Sequence, residues 1–190
     1  MMSKHNKLRE LLRNFRRDED GVVTLEFVII FPVFFFFFLM TIESGIISLQ
    51  HFRLERAVDL TVRDIRIGEM RNPTRQEMLE SICDIAATIP NCEAEVEIEL
   101  IVNDLRNWTA VDGRIQCIDR GEDPPSGDSV IPTGGDNELM YMRVCARIDP
   151  LMPTTGLGKA IVDGNSGSAA AGSYALVSTA AFVIEPFGSD

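Results

Sequence analysis

Glu26 is the residue whose type and position could do chemistry in this chain. It lies five positions after Gly21, inside an apolar run that opens Val22-Val23-Thr24-Leu25-Glu26-Phe27 and continues through Val28-Ile29-Ile30-Phe31-Pro32-Val33-Phe34 to Phe38-Leu39-Met40. A charge in the middle of such a run costs about 2.5–3.5 kcal/mol on insertion scales, so an intramembrane ionisable residue is a functional candidate by default. With no water to solvate it, the carboxylate calls for a cation or a hydrogen-bond donor. The bland alternative is a side chain near the membrane interface with no role. Arg16 and Arg17 stand just before the run.

The run itself has membrane length. From Phe27 to Ile42 there are 16 uncharged, mostly apolar residues, and 21 when the count starts at Val22 and tolerates Glu26. About 20 residues cross the hydrocarbon core of a bilayer. A cleaved secretory signal is the rival reading, but its apolar core is about 7–15 residues and ends in a small-x-small site. The nearest candidate, Ile42-Glu43-Ser44-Gly45, is interrupted by Glu43. Pro32 is compatible with a membrane helix, where neighbouring groups satisfy the freed backbone. Phe27 and the run from Phe34 to Phe38 read as lipid-facing or helix-packing bulk.

Charge sets the expected orientation. Up to Gly21 six basic residues (Lys4, Lys7, Arg9, Arg13, Arg16, Arg17) meet four acidic ones (Glu10, Asp18, Glu19, Asp20), a net of +2 that leaves −13 of the formal −11 on the remainder. Basic flanks stay in the cytoplasm. The sequence therefore predicts a cytoplasmic leader, 1–21, and a transmembrane helix segment, 22–49. A helical extension, 50–70, and an exported domain, 71–190, follow, and lipid is the first partner. The acidic remainder argues against nucleic acid as a partner, because phosphate neutralisation needs a basic face.

Beyond the membrane, Leu54, Val58, Val62 and Ile65 recur at helical spacing, which predicts one long helix from about Val22 to about Gly68, with Gly45 a possible bend. A second helix is expected from Arg75 to Thr88, opened by the capping-box spacing of Thr74 and Glu77. Strict alternation predicts strands over Ala94 to Asn103, Leu139 to Ile148 and about Tyr174 to Ile184. Glu95 to Glu99 are candidates for cross-strand pairing with Arg143 and Arg147. The stretches from Asp119 to Glu138 and from Gly164 to Ser173 read as irregular. The expected fold class is α+β: a long N-terminal helix, then a small domain with one further helix and about three antiparallel strands.

All four cysteines, Cys83, Cys92, Cys117 and Cys145, follow the apolar run. An even number on the exported side fits two disulfides. Of three connectivities the favoured one joins Cys83 to Cys92 across a short loop and leaves Cys117 for Cys145. A zinc or thioredoxin-like site is disfavoured, since no CxxC occurs and the only histidines are His5 and His51. The acids Asp119, Glu122, Asp123 and Asp128 lack EF-hand spacing and read as a solvated loop. Met78, Met140, Met142 and Met152 read as core filling. No catalytic residue, metal or cofactor is expected, because a Ser-His-Asp or Cys-His arrangement needs a histidine in a soluble cleft.

Glycine followed five residues later by glutamate, at the mouth of the only membrane-length run and after basic residues, resembles the N-terminus of type IV pilin-class precursors. More closely, the chain resembles the TadE/TadF-like minor pseudopilins of the tight-adherence (Tad/Flp) pilus system, TadE more than TadF. The resemblance draws further on the Cys83–Cys92 pair leading into the Glu-rich strand, on Tyr141-Met142-Arg143-Val144-Cys145, on Pro150-Leu151-Met152-Pro153 and on the closing Ala180 to Phe187. It implies a prepilin peptidase facing Arg16, Arg17 and Gly21 and cutting between Gly21 and Val22. Val22 is then the new N-terminus, its amine about one helical turn from Glu26. It implies Glu26 and Phe27 as the Glu-aromatic pair of the assembly motif. The implied partners are other Tad pilins and pseudopilins and the inner-membrane assembly platform. The implied role is assembly of a pilus that supports adherence and biofilm formation, from a single-pass inner-membrane position with a periplasmic C-terminal domain. The chain departs from the pattern in placing Asp18-Glu19-Asp20 directly before the glycine. The rival readings are an uncleaved single-pass scaffold of an envelope complex and a membrane-tethered periplasmic enzyme or binding protein.

Overall fold

A computed structural model describes residues 13–14, 21–104, 106–107, 110–111, 113, 115, 117–121, 131, 134, 137–152, 156–165 and 172–186. The chain divides into two compact units, 1–42 and 43–190. Helix α1, Val22–Arg66, runs through Pro32 and Gly45 without interruption. Gly68 ends it. At φ +78° it takes the left-handed conformation that a β-carbon disfavours. Gly68 N donates to Ile65 O at 3.1 Å and Glu69 N to Asp64 O at 3.0 Å, the paired bonds of a Schellman close.

In the first unit, residues 23–38 are exposed at every position. Phe27, Phe31 and Phe35 stack along the helix with ring centroids 4.9 and 5.7 Å apart, and Phe38 lies tilted against Phe35 at 6.4 Å.

The second unit is α+β. Helix α2, Arg75–Ile85, opens with the capping box anticipated from sequence: Glu77 N donates to Thr74 Oγ1 at 3.2 Å and Thr74 N to Glu77 Oε2 at 2.8 Å. It stops before Thr88, turning at Ala86. One-turn α3, Cys92–Glu95, takes the residues expected to start the first strand, which is therefore shorter: β1, Val96–Asn103. Strand β2, Leu139–Ile148, and strand β3, Tyr174–Val183, complete an antiparallel sheet in the order β1-β2-β3. A further helix that the sequence did not announce, α4, Gly156–Asn165, precedes β3. Its glycines lower helix propensity by about 1 kcal/mol each relative to alanine, which hides it from periodicity reading.

The core lies where the α1 stripe Leu54, Val58, Val62 and Ile65 meets Met78, Leu79 and Ile82 of α2 and the even-numbered residues of the sheet, Val96, Met140, Met142, Val144 and Ala146. Two disulfides staple it, Cys83–Cys92 and Cys117–Cys145. The second also covers the other sheet face. Arg143 and Arg147 are buried there, Arg143 Nη2 standing 2.9 Å from Glu99 Oε2 and Arg147 Nε donating to Ile118 O at 2.9 Å. Glu97 and Glu95 find other cations: Arg75 at 2.9 Å and Arg120 at 3.0 Å, the latter also holding Asp149 at 2.8 Å.

Candidate functional site

The elements place the sequence-derived site residues as follows. Gly21 immediately precedes α1, and Val22 is its first residue. A β-carbon at Gly21 would meet no atom of the described residues within 4 Å, so packing against them does not demand the glycine. Glu26 lies one turn into the helix and is exposed, as is Phe27 beside it. Four residues of helix rise separate Val22 from Glu26, about 6 Å along the axis. Arg16 and Arg17 lie outside the described residues. The helix is long and apolar enough, by length and composition, to cross a membrane.

The second unit adds a feature absent from the sequence reading. Glu43, inside the stretch assigned to membrane, is 1 % exposed, and Met152 N donates to its Oε1 at 3.3 Å. Two turns on, Gln50 donates through Nε2 to Thr88 O at 3.4 Å and accepts from the Tyr174 hydroxyl at 3.3 Å. His51 Nε2 stands 3.2 Å from Val177 O. One polar seam of α1 thus ties the helix to three loops and strands of its own unit. The apolar residues 22–42 that precede it span about 31 Å as helix, the thickness of a hydrocarbon core.

Gly158 sits against this seam. A β-carbon there would lie 2.7 Å from Met152 O and 3.0 Å from Glu43 Oε1. Gly158→Ala is therefore expected to destabilise the domain by about 1–3 kcal/mol despite the better helix propensity of alanine, read as a lowered thermal midpoint.

Burial pushes the Tyr174 hydroxyl up to about 12, and the carboxylates of Glu43 and Asp149 add to the effect. Because the folded value lies above the unfolded value of 10.0, the neutral phenol's contribution is complete below about pH 10. It is lost as pH rises toward about 12. Ultraviolet titration of the Tyr141→Phe variant, which leaves Tyr174 as the only tyrosine, is expected to show a midpoint near pH 12. Tyr174→Phe should flatten the loss of thermal stability over the same window.

The remaining candidates separate. Asp119 caps its own turn, accepting from Gly121 N at 2.9 Å, while Glu122, Asp123 and Asp128 lie outside the described residues, as does His5. Among the described residues no group of three or more His, Cys, Asp or Glu side chains could hold a metal. Met78, Met140 and Met142 are buried in the core.

In comparison with known proteins, the family profile described as TadE-like protein matches residues 21–63. No curated protein and no solved structure matches the chain. The matched segment opens at Gly21, contains Glu26 and Phe27, and ends within the buried stripe of α1. On that match residues 21–63 of the chain are similar to the TadE-like family.

Proposed function

We propose that this protein is a minor pseudopilin-like subunit required for assembly of a Tad/Flp pilus, and so for adherence and biofilm formation. The prepilin peptidase cuts between Gly21 and Val22. The freed Val22 amine, from the same or a neighbouring subunit, then meets the Glu26 carboxylate within the bilayer. Removing water from both charges is unfavourable singly, so pairing them favours packing of similar helices where lipid supplies no hydrophobic drive. Phe27 and the phenylalanine ladder give that packing its bulk. Of the segment 22–49, residues 22–42 cross the membrane of a single-pass inner-membrane protein whose N-terminus is cytoplasmic, and from Glu43 onward the chain forms a periplasmic, non-enzymatic domain. Its partners are the peptidase, other Tad pilins and pseudopilins, the assembly platform and lipid.

The observation that carries this reading is the coincidence of the family match with Gly21 at the start of the apolar helix. The acidic remainder and the two disulfides favour export to an oxidising compartment. Deleting the gene is expected to remove surface pili, and the wild-type copy to restore them. Normal piliation without the protein would sink the proposal.

A further inference from the structure

Glu43 is the first residue beyond the stretch that fills a hydrocarbon core, so the groups that touch it stand at the level of the lipid headgroups. That layer is about 5–8 Å deep on each side of the core, which about four or five residues of helix cross. Over this depth and beyond it, from Ser44 to Phe52, α1 carries no Asp, Glu, Lys or Arg. Ser44, Gly45, Ser48 and Leu49 are exposed all the same. The helix therefore presents an uncharged surface for longer than the core alone requires.

Two further pieces of the second unit reach this level through Glu43 itself. Met152 N donates to Glu43 Oε1 at 3.3 Å, and a β-carbon on Gly158 would lie 3.0 Å from the same oxygen. The residue before Met152 is Leu151, which is 58 % exposed. The residue after Gly158 is Lys159, exposed on α4 and engaged by no ion pair or hydrogen bond among the described residues. It is the only lysine beyond Lys7, and every other basic residue after the apolar run is an arginine. A lysine lays its apolar stem along an apolar surface while its compact ammonium stays wet, which suits the headgroup layer. The acids close by do not cancel that charge. Glu43 is buried, Asp149 is held by Arg120 at 2.8 Å, and Asp163, one turn further along α4, forms no ion pair with Lys159.

We propose that the base of this domain docks on the periplasmic leaflet, with Leu151 among the uppermost acyl carbons and the Lys159 ammonium against lipid phosphate. This step rests on the single-span reading above. An exposed apolar tip beside a lysine is the composition of surfaces that lie in the membrane interface, and here both are held next to the residue at which the helix leaves the core.

The test places a polarity-sensitive fluorophore on single introduced cysteines of the full-length chain. The vesicles are phosphatidylethanolamine and phosphatidylglycerol with headgroup spin-labelled lipid. The four native cysteines are in disulfides and do not react. Leu151→Cys is the probe, and Glu69→Cys, beyond the far end of α1 and more than about 34 Å of helix rise from Glu43, is the reference. Phe34→Cys, read with acyl-chain spin label, reports the span. The expected result is blue-shifted, lipid-quenched emission at 151 and water-like, unquenched emission at 69. Lys159→Glu should move the 151 label at least about fivefold toward the undocked state, the effect of one basic residue at an anionic surface. Leu151→Asp should abolish the quenching of a label on Lys159→Cys while leaving the thermal midpoint unchanged.

Water-like emission at 151, in chains whose 34 label is quenched from the acyl region, overturns the proposal. Quenching at 159 that Leu151→Asp leaves unchanged does the same. Blue emission at 151 that spin-labelled lipid fails to quench would set the patch against protein and overturn it equally. A 34 label in water would remove the span itself, and the docking with it.

Discussion

Glu26→Leu is expected to lower assembled surface pili about a hundredfold while leaving processing at Gly21 intact. An unmatched charge inside a membrane segment is costly. Removing the carboxylate strands the Val22 ammonium in a segment where one unpaired charge costs about 2.5–3.5 kcal/mol. A difference of that size is about two orders of magnitude in an association equilibrium. Glu26→Gln keeps an acceptor but loses the charge, so it should fall between leucine and the wild type. Packing among the described residues does not account for Glu26, which is exposed and accepts no hydrogen bond from them. The measurement is the amount of pilin in sheared surface fractions, beside the mature-to-precursor ratio in membranes. Unchanged pili in Glu26→Leu would remove the pairing from the account.

Loss of both disulfides is expected to unfold the domain at growth temperature or bring it close to unfolding. Chain-entropy arguments give about 2.5 kcal/mol for the loop of sequence separation 9 closed by Cys83–Cys92 and about 3.5 kcal/mol for the loop of separation 28 closed by Cys117–Cys145. Their combined loss approaches the whole stability of an ordinary domain, about 5–15 kcal/mol. The second bridge should matter more than loop length alone implies. It holds Ile118 over the sheet face that buries Arg143 and Arg147, and Arg147 takes its Ile118 carbonyl partner from that segment. Cys117→Ser with Cys145→Ser should therefore lower the thermal midpoint by more than Cys83→Ser with Cys92→Ser. Thermal denaturation with and without reductant reads both. A reduced protein with an unchanged midpoint would contradict the estimate.

How much of this was legible in the sequence depends on how local the cause is. The capping box at Thr74 and Glu77, the alternation of β2 and the apolar stripe of α1 are set by neighbours within a few residues, and the structure repeats them. The pairing of Glu99 with Arg143 also follows from alternation, since the register sets those residues opposite each other. What sequence reading missed is long-range. Helix α4 is glycine-rich and gains from packing a close approach to Met152 O and Glu43, which no periodicity announces. The same holds for Glu43, which reads as an interruption in a membrane segment until a partner 109 residues away is seen. Arg75 looks like a surface residue at a helix start, yet it is buried between Val96 O and Glu97. The proposed site residues Gly21, Val22, Glu26 and Phe27 come from spacing and resemblance alone, because they are contiguous in the sequence and need no long-range partner in this chain to be picked out.

The central claim is that Gly21 ends a removable leader and gives Glu26 its amine. The direct test is intact mass and N-terminal sequence of the protein isolated from membranes of cells with and without the prepilin peptidase. The account predicts a chain beginning at Val22 only when the peptidase is present. A chain that keeps Arg16 to Gly21 in both cells would contradict it in favour of an uncleaved scaffold, and a new N-terminus near Gly45 would contradict it in favour of a released periplasmic protein.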